Sequence, residues 1–343
     1  MSRVGVIGAG GWGTVLAKLL TANGHQVVLW SYEAETAEEI NRDHTNNRFL
    51  PGISLPQALL ATHDLEQAVQ GQEVIVMAVP SQWTGSVARS VAPWIDPGCL
   101  VINAAKGLEI TTLRRLSQVL IETLPVHPDR IVVLSGPNHA EEVAREVPTA
   151  TVVASPDLTS AQKAQDLFMN SYFRVYTNPD RIGVELGGAL KNIIALAAGI
   201  SEGLGFGDNT KAALLTRGIV EMARLGEALG ASPHTFAGLS GVGDLFVTGS
   251  SRHSRNYWAG REIGQGRSPE EVLKSTPMVV EGVPTSKAAY LLSKKLGVEM
   301  PITEKVYQVL FEGVDPRQGV QELMTRGKTH ESEELAKVWD RTQ

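Results

Sequence analysis

Short apolar runs alternate with helix-like segments along the first half of the chain. Residues 3–7 and 26–30 predict buried strands, and the small and aliphatic residues of 14–22 between them predict a helix. Further strands are predicted at residues 73–79, 99–103, 130–134, 149–154 and 173–176. Strands that alternate with helices are typical of a parallel α/β sheet, and open sheets of this kind bind ligands at the carboxyl ends of their strands.

A glycine-rich turn at residues 8–13, with the sequence GAGGWG, joins the first predicted strand to the first predicted helix. In this position the spacing G-x-G-x-x-G is typical of a dinucleotide-binding Rossmann domain. Gly8 permits the tight turn, Gly10 lets the backbone approach a pyrophosphate, and Gly13 lets the helix pack closely on the strand. The free N–H groups at the start of the helix attract the phosphates. The alternative is a glycine-rich surface turn.

The pattern changes after residues 178–180, where long helical segments replace the strands. Ser268 precedes Pro269, and this pair predicts a helix start with serine as the N-cap and proline in the first turn. Other helices are predicted over residues 184–200, 209–229, 286–295 and 302–311, and a surface helix over residues 328–343. We therefore expect an α/β Rossmann-type dinucleotide-binding domain over residues 1–180, followed by an all-α domain over residues 181–343.

Composition and charge limit the classes of partner. Of the 343 residues, 43% are hydrophobic and 20% are charged, as in an ordinary soluble globular protein. The net charge of −6 provides no basic field for nucleic acid or a membrane surface, so a local cluster of cations must bind any anionic ligand. The single cysteine, Cys99, excludes an intramolecular disulfide and fits a reducing compartment.

The sequence shows no clear pattern for a targeting segment, a membrane span or a metal site. The chain enters a strand directly at its start, without a charged leader and cleavage site. The longest apolar stretch, near residues 193–200, is too short to cross a bilayer. The eight histidines show no spacing typical of a metal site. We therefore expect a cytoplasmic protein without membrane insertion, nucleic-acid binding or a structural metal.

Lys191 is predicted to lie on an apolar helix. Between residues 183 and 196 only Glu185 and Lys191 are charged. Gly187 and Gly188 destabilise a helix, so they indicate the close approach of another backbone or of a ligand. Burial lowers the pKa of a lysine, which suits proton exchange near neutral pH. The alternative is a lysine that extends to solvent from the edge of a buried helix.

Two downstream segments carry further candidate chemistry. Residues 238–245 are rich in glycine and contain one acid, Asp244. Residues 248–256 combine hydroxyl, guanidinium and amide side chains, and a helix is predicted to begin near Tyr257. Arginine binds a phosphate through two N–H groups, and a helix N-terminus attracts the anion. This composition predicts a site for a small phosphate, and the alternative is a solvated polar loop.

Together these segments resemble the bacterial NAD(P)-dependent glycerol-3-phosphate dehydrogenases over nearly the whole chain. The resemblance rests on residues 8–14, 78–81, 106–109, 134–137, 185–192, 205–211, 241–245, 254–256 and 280–282. The lysine helix and the Ser-Arg-Asn triplet at 254–256 are specific to this family, whereas the glycine turn is not. The resemblance implies reversible reduction of dihydroxyacetone phosphate to sn-glycerol 3-phosphate with NAD or NADP, which supplies glycerophospholipid biosynthesis. It also implies a homodimer.

The resemblance assigns roles to individual residues. Lys191 matches the catalytic lysine of the family, Lys106 a second lysine that touches substrate and cofactor, and Asp244 an acid near the reacting end of the substrate. The substrate is expected to contact Lys106, Gly136, Asn138, Lys191, Asp244, Ser254, Arg255 and Asn256. The cofactor is expected to contact Gly8, Gly10, Gly11, Trp12, Gly13, Tyr32, Phe49, Lys106, Ala140, Arg255, Val279 and Glu281.

Three positions depart from the family pattern. Gly11 replaces a serine, which removes one hydroxyl contact to the pyrophosphate, and Asn138 replaces another serine while keeping a hydrogen-bond donor. At the end of the second strand, Ser31-Tyr32-Glu33 offers no cation for the 2′-phosphate of NADP, and Glu33 suits the ribose hydroxyls of NAD. We therefore expect use of NAD, or of both cofactors. An exposed glutamate without a ligand is the alternative.

Other functions stay open from the sequence. A dehydrogenase of the β-hydroxyacid type also pairs a Rossmann domain with a lysine-bearing helical domain, but it needs a carboxylate-binding serine and glycine segment instead of the Arg255 cluster. A non-catalytic sensor of NAD(H) needs the glycine turn but does not need Lys106, Lys191 and Asp244 together. A structural or nucleic-acid-binding module fits the acidic balance poorly.

Overall fold

The computed structural model of the chain describes residues 1–251, 253–276, 278–328 and 331. Within them, eight strands form one sheet in the amino-terminal part, and helices form the remainder. The strands are β1 (Arg3–Ile7), β2 (Gln26–Trp30), β3 (Leu60–Thr62), β4 (Val74–Met77), β5 (Leu100–Asn103), β6 (Ile131–Ser135), β7 (Thr149–Ala154) and β8 (Phe173–Asn178). All the predicted strands are confirmed. β3 was missed because three residues are too few to show a hydrophobic period.

Helices cover both faces of the sheet. Along β4, Val74 and Val76 pack into the core on one face, while Ile75 and Met77 pack into the core on the other. This alternation explains why the central strands are continuously apolar. The helices of this part are α1 (Gly11–Ala22), α2 (Ala34–Asp43), α3 (Leu65–Val69), α4 (Thr84–Val91), α5 (Leu116–Thr123), α6 (Ala140–Ala144) and α7 (Leu158–Phe168).

The strand order is β3-β2-β1-β4-β5-β6-β7-β8. β1 pairs in parallel with β2 and with β4, and the order reverses between them, which leaves a crevice at their carboxyl ends. The expectation of a parallel sheet is confirmed for six of the seven strand pairings, and the exception is β7, which pairs antiparallel with β6. The connection between them contains only α6, and a five-residue helix rises about 7.5 Å. That is too short to carry the chain back along a strand of about 16 Å.

The remaining helices form the second part of the chain. They are α8 (Arg181–Gly203), α9 (Asp208–Ala228), α10 (Asp244–Ser250), α11 (Arg255–Gly264), α12 (Pro269–Lys274), α13 (Gly282–Leu296), α14 (Pro301–Phe311) and α15 (Pro316–Met324). The predicted start at Ser268 is confirmed, because Ser268 and Glu271 form a reciprocal capping box. The helix predicted over residues 328–343 lies almost wholly outside the described residues. β8 ends and α8 begins on either side of residue 180, where the domain boundary stays a prediction.

α8 lies at the centre of the helical part. By length and composition it could cross a membrane, so the apolar segment is longer than the sequence suggested, but 94% of its apolar window is buried inside the protein. Glycines bring α8 and α11 together. A Cβ atom at Gly199 would clash with the carbonyl oxygen of Tyr257, and a Cβ atom at Gly260 would clash with that of Leu196. The contact therefore fixes α11 closely against the helix that carries Lys191.

A buried ion pair joins α8 to the start of α5. Arg115 donates from Nη1 to Oε2 of Glu185 at 2.8 Å, and both side chains are buried. Ser117 donates to the same carboxylate, from its backbone nitrogen at 2.7 Å and from its hydroxyl. Because both charges are removed from water, each depends on the other for compensation.

We expect Glu185→Ala to lower the free energy of unfolding by about 3–5 kcal/mol, because it leaves the buried guanidinium of Arg115 without its partner. Urea unfolding followed by circular dichroism measures this loss. The double variant Arg115→Met, Glu185→Met removes both charges, so most of the lost stability should return. A double variant as unstable as the single one would assign the loss to packing instead.

Candidate active site

Lys191 lies in the middle of α8, and its side chain is only 6% exposed. Its ammonium group forms an ion pair with the carboxylate of Asp244 and donates to the hydroxyl of Thr248 at 2.6 Å. Asp244 is the first residue of α10 and Thr248 follows one turn later, so the two side chains share one face of that helix. The lysine is thus buried and paired, and it does not extend to solvent.

Asp244 connects lysines from the two parts of the chain. Its Oδ1 accepts from Lys191, and its Oδ2 accepts from Nζ of Lys106 at 2.7 Å. Lys106 follows β5 at the carboxyl edge of the sheet, whereas Asp244 and Lys191 belong to helices. The three residues predicted to be catalytic therefore meet at the junction between the sheet and the helical part.

Burial and neighbouring charges set the ionisation of this cluster. Removal of the ammonium group from water lowers the pKa of Lys191 from 10.5 to about 7; the carboxylate of Asp244 opposes this shift and the ammonium of Lys106 adds to it. Burial by itself would raise the pKa of Asp244, but the two lysines keep it below its ordinary value. Near neutral pH, Asp244 is ionised and Lys191 can donate or accept a proton.

The loop after β6 orients Lys106. The ammonium group donates to the carbonyl oxygen of Gly136 at 3.0 Å and to Oδ1 of Asn138 at 2.8 Å. The amide of Asn138 in turn donates to the hydroxyl of Thr151 at 3.0 Å. Gly136 has φ +136°, a conformation that favours glycine. Asn138 therefore uses both ends of its amide within the protein, which fixes the position of Lys106.

The two glycines predicted to mark a close approach do so. A Cβ atom at Gly187 would lie 2.5 Å from the carbonyl oxygen of Ser240, in the π-helical turn that leads into α10. A Cβ atom at Gly188 would clash with the hydroxyl of Ser135 at the end of β6. The bare face of α8 thus lets both segments approach the turn of α8 that carries Lys191.

The glycine turn after β1 fits a dinucleotide pyrophosphate. Gly8 has φ +117°, and a Cβ atom there would lie 2.9 Å from the carbonyl oxygen of Ala78. A Cβ atom at Gly13 would clash with the carbonyl oxygen of Gly8. At Gly10, by contrast, no described atom lies within 4 Å of such a Cβ. No N-cap side chain bonds the first N–H groups of α1, and such unpaired N–H groups are what a phosphate site at a helix start requires.

The loop between α2 and β3 packs on this turn. Asn46 is fully buried and donates to the carbonyl oxygen of Ala9 and to the hydroxyl of Thr14, both at 2.8 Å. The carbonyl oxygen of Phe49 would lie 2.8 Å from a Cβ atom at Gly11. A serine at position 11 would therefore require this loop to shift, which explains why the chain carries glycine there.

The other residues predicted to bind the cofactor lie on several segments of the sheet and helical parts. Tyr32 follows β2 and is exposed, and Ala140 begins α6. The indole nitrogen of Trp12 is buried without a hydrogen-bond partner in the described residues. Val279 is exposed before α13, whereas the carboxylate of Glu281 accepts from the backbone nitrogen of Ser81, after β4, at 2.9 Å. Burial raises the pKa of Glu281.

Two of the three side chains at 254–256 form hydrogen bonds within the protein, and the third does not. Ser254 caps α11 by accepting from the backbone nitrogen of Tyr257 at 3.2 Å. Asn256 donates to Oδ1 of Asn192 at 2.9 Å and accepts from the backbone nitrogen of Gly282 at 2.7 Å. Arg255 is exposed as a residue, and its guanidinium forms no hydrogen bond or ion pair with any residue that the structure describes. Burial lowers the pKa of this guanidinium, and the nearby carboxylates of Glu281 and Glu141 oppose that shift. Of the three, it is the side chain that is available to an anion.

Three residues close to the site were not singled out from the sequence. Thr248 bonds Lys191, and its position one turn after Asp244 was the signal for it. His139 lies near the lysines; burial, followed by the charge of Lys191, lowers its pKa. Arg48 lies at the end of β2, where the local sequence offered no cation. Its signal was its place beside Phe49, which was already predicted to contact the cofactor.

Comparisons with known proteins agree with this arrangement. The family model for the NAD-dependent glycerol-3-phosphate dehydrogenase N-terminus matches residues 3–161, and the model for the C-terminus matches residues 180–321. The glycerol-3-phosphate dehydrogenase (NAD(P)+) of Pelotomaculum thermopropionicum is 57% identical over 335 residues, which cover 97% of this chain and 96% of that protein. The protein of the same description from Geobacillus thermodenitrificans is 53% identical over 340 residues, or 99% of each chain.

A solved structure extends the likeness to three dimensions. The crystal structure of glycerol-3-phosphate dehydrogenase from Coxiella burnetii matches with a TM-score of 0.91 and 39% sequence identity. The match covers 95% of this chain and 99% of that one. The order of the sheet and the helical part is therefore shared along both chains.

Proposed function

The chain belongs to the family of NAD-dependent glycerol-3-phosphate dehydrogenases, and we propose that Lys191, Lys106 and Asp244 are its catalytic residues. The enzyme interconverts dihydroxyacetone phosphate and sn-glycerol 3-phosphate and uses NAD or NADP. One observation carries the assignment: a buried lysine with a pKa of about 7 lies beside the carboxyl ends of the strands, bonded to an acid that also binds a second lysine.

When bound, NADH or NADPH supplies the hydride that reduces the carbonyl carbon of the substrate. The ammonium of Lys191 stabilises the negative charge that develops on the carbonyl oxygen and then gives that oxygen its proton. In the oxidation direction, the neutral amine of Lys191 takes the proton from the hydroxyl. Because the pKa of Lys191 is about 7, both forms are populated at neutral pH.

Lys106 and Asp244 prepare Lys191 for this exchange. The carboxylate of Asp244 fixes both ammonium groups and partly offsets the cost of burying them. Lys106 is proposed to face the same oxygens of the substrate. Its ammonium group is held in place by hydrogen bonds to the carbonyl oxygen of Gly136 and to Oδ1 of Asn138. Ser254 and Asn256 support this end of the site by fixing α11, and they stay predicted substrate contacts.

The cofactor is proposed to lie across the carboxyl edge of the sheet. The open backbone at Gly10 and the N-terminus of α1 would hold its pyrophosphate. The other residues proposed to contact it are Gly8, Gly11, Trp12, Gly13, Tyr32, Phe49, Lys106, Ala140, Arg255, Val279 and Glu281.

Arg255 is proposed to bind the phosphate of the substrate. We expect Arg255→Ala to raise the KM for dihydroxyacetone phosphate by roughly 10²- to 10⁴-fold, because two charge-assisted hydrogen bonds are each worth about 1.5–3 kcal/mol. The loss should fall mainly on KM, since the residues that move the proton are unchanged. Steady-state kinetics with NADH, with dihydroxyacetone phosphate and with dihydroxyacetone, measure the effect and the preference for the phosphorylated substrate.

Arg261→Ala is the matched control, since Arg261 lies on the same helix and pairs with Glu262 at its surface. This variant should have the parental kcat and KM for both substrates. If Arg255→Ala keeps the parent's preference for the phosphorylated substrate, the phosphate is bound elsewhere. A parent protein that reduces neither substrate with NADH or NADPH would contradict the function itself.

The finer biological setting follows from the resemblance. We propose a homodimer that acts in the cytoplasm and supplies sn-glycerol 3-phosphate to glycerophospholipid biosynthesis. Size-exclusion chromatography with light scattering tests the dimer, because a single species at the monomer mass of 36.9 kDa would contradict it.

A further inference from the structure

A glutamate and an arginine from different loops meet at the end of β2. Oε1 of Glu33, the N-cap residue of α2, lies 3.3 Å from Nη1 of Arg48. The guanidinium carbon of Arg48 also lies 4.9 Å from the centre of the Phe49 ring. The pair is not buried: 30% of the Glu33 side chain and 53% of the Arg48 side chain remain exposed. Both charges are therefore open to a ligand.

The loop that carries Arg48 is fixed to the pyrophosphate turn. Asn46 bonds Ala9 and Thr14, and its Oδ1 accepts from the backbone nitrogen of Phe49 at 3.3 Å. The backbone nitrogen of Leu50 donates to the carbonyl oxygen of Asn46 at 2.8 Å. Arg48 thus has a defined position relative to the glycine turn, although its side chain reaches solvent.

The location of the pair indicates which part of a dinucleotide it faces. In a Rossmann domain, the acid about 20 residues beyond the last glycine of the turn bonds the ribose 2′-hydroxyl of NAD, and a nearby arginine accommodates the 2′-phosphate of NADP. Glu33 has this spacing from Gly13. Arg48 supplies the cation that Ser31-Tyr32-Glu33 lacks.

We propose that Glu33 and Arg48 form a subsite for the 2′ position of the adenosine ribose, and that this subsite lets the enzyme use both cofactors. Glu33 accepts a hydrogen bond from the 2′-hydroxyl of NAD. Arg48 binds the 2′-phosphate of NADP and neutralises Glu33, which would otherwise repel that phosphate. This subsite rests on the proposed function, which supplies the use of a nicotinamide dinucleotide. Glu33 and Arg48 are the residues that would select between NAD and NADP.

Binding measurements on the two cofactors test this subsite without turnover. In isothermal titration calorimetry, Arg48→Gln should weaken NADPH by roughly 10- to 100-fold and change NADH by less than about threefold. Glu33→Gln should act in the opposite sense, weakening NADH while leaving NADPH as tight as in the parent or tighter. Adenosine 2′,5′-bisphosphate and AMP, which differ only in the 2′-phosphate, should reproduce the Arg48→Gln difference in competition with bound NADPH.

Arg42→Gln is the matched control, because Arg42 is an exposed arginine on α2 that pairs with its own neighbour, Asp43. It should leave both affinities unchanged. Equal changes for NADPH and NADH in Arg48→Gln, or no change in either, would overturn the proposal. These outcomes concern affinity alone, so they are distinct from a failure of the parent to reduce dihydroxyacetone phosphate, which would contradict the proposed function.

Discussion

Lys191→Met is expected to lower kcat for the reduction of dihydroxyacetone phosphate by at least about 10³-fold. A positioned proton donor contributes about 10²–10⁴ in rate, and the loss of a cation beside the developing oxyanion adds to this. Methionine keeps most of the buried volume on α8, so the fold should persist. Because Lys191 lies at the junction and not at the glycine turn, the affinity for NADH should stay within about threefold of the parent.

The pH dependence of the parent enzyme should report the same lysine. Reduction requires the ammonium form, so kcat should be constant below the pKa of about 7 and fall as the pH rises through it. Oxidation of sn-glycerol 3-phosphate requires the neutral amine, so its kcat should rise through the same range. In Lys191→Met the residual activity should lose both limbs.

Lys305→Ala provides the control for this substitution. Lys305 is a partly buried lysine of the helical part, paired with Glu322 away from the junction. It should keep the parental rate and pH profile. A Lys191→Met variant that retains more than about a tenth of the parental kcat, with NADH binding intact, would exclude Lys191 as the proton donor.

The sequence predicted the elements whose signal is local. β1, β2 and β7 were placed at their observed ends, because turn residues bound each apolar run. Lys191 was recognisable because a single cation on an apolar helix is conspicuous, and the adjacent glycines indicated the close approach that is observed. Lys106 and Asn138, whose contacts join distant segments, were identified in advance through the family resemblance and not through a local pattern.

Contacts between distant segments were beyond such signals. Arg48 reaches Glu33 only because Asn46 folds the intervening loop onto the glycine turn. Whether the pKa of Lys191 is raised or lowered likewise depends on its burial between two parts of the chain, and a sequence does not measure that burial. The antiparallel β7 follows from the length of α6, whose ends were not predicted.

Asp244→Asn should have the second largest effect, because it removes the one carboxylate shared by two buried or nearly buried lysines. Without it, the ammonium groups of Lys191 and Lys106 face each other across a neutral amide. The pKa of Lys191 should then fall further below about 7, since only burial and a like charge act on it. At pH 7 the proton donor would be largely neutral, and we expect kcat for reduction to fall by roughly 10²-fold.

The pH profile distinguishes this electrostatic effect from a loss of structure. In Asp244→Asn the descending limb of the reduction profile should move to lower pH, so that part of the lost rate returns in acid. Stability should fall by about 3–5 kcal/mol, as for a buried ion pair with one partner removed. Asp315→Asn, at the N-cap of α15, is a control that should change neither, because asparagine caps a helix as well as aspartate. If the limb stays at the parental pH while kcat falls, Asp244 acts by position alone and does not set the proton affinity of Lys191.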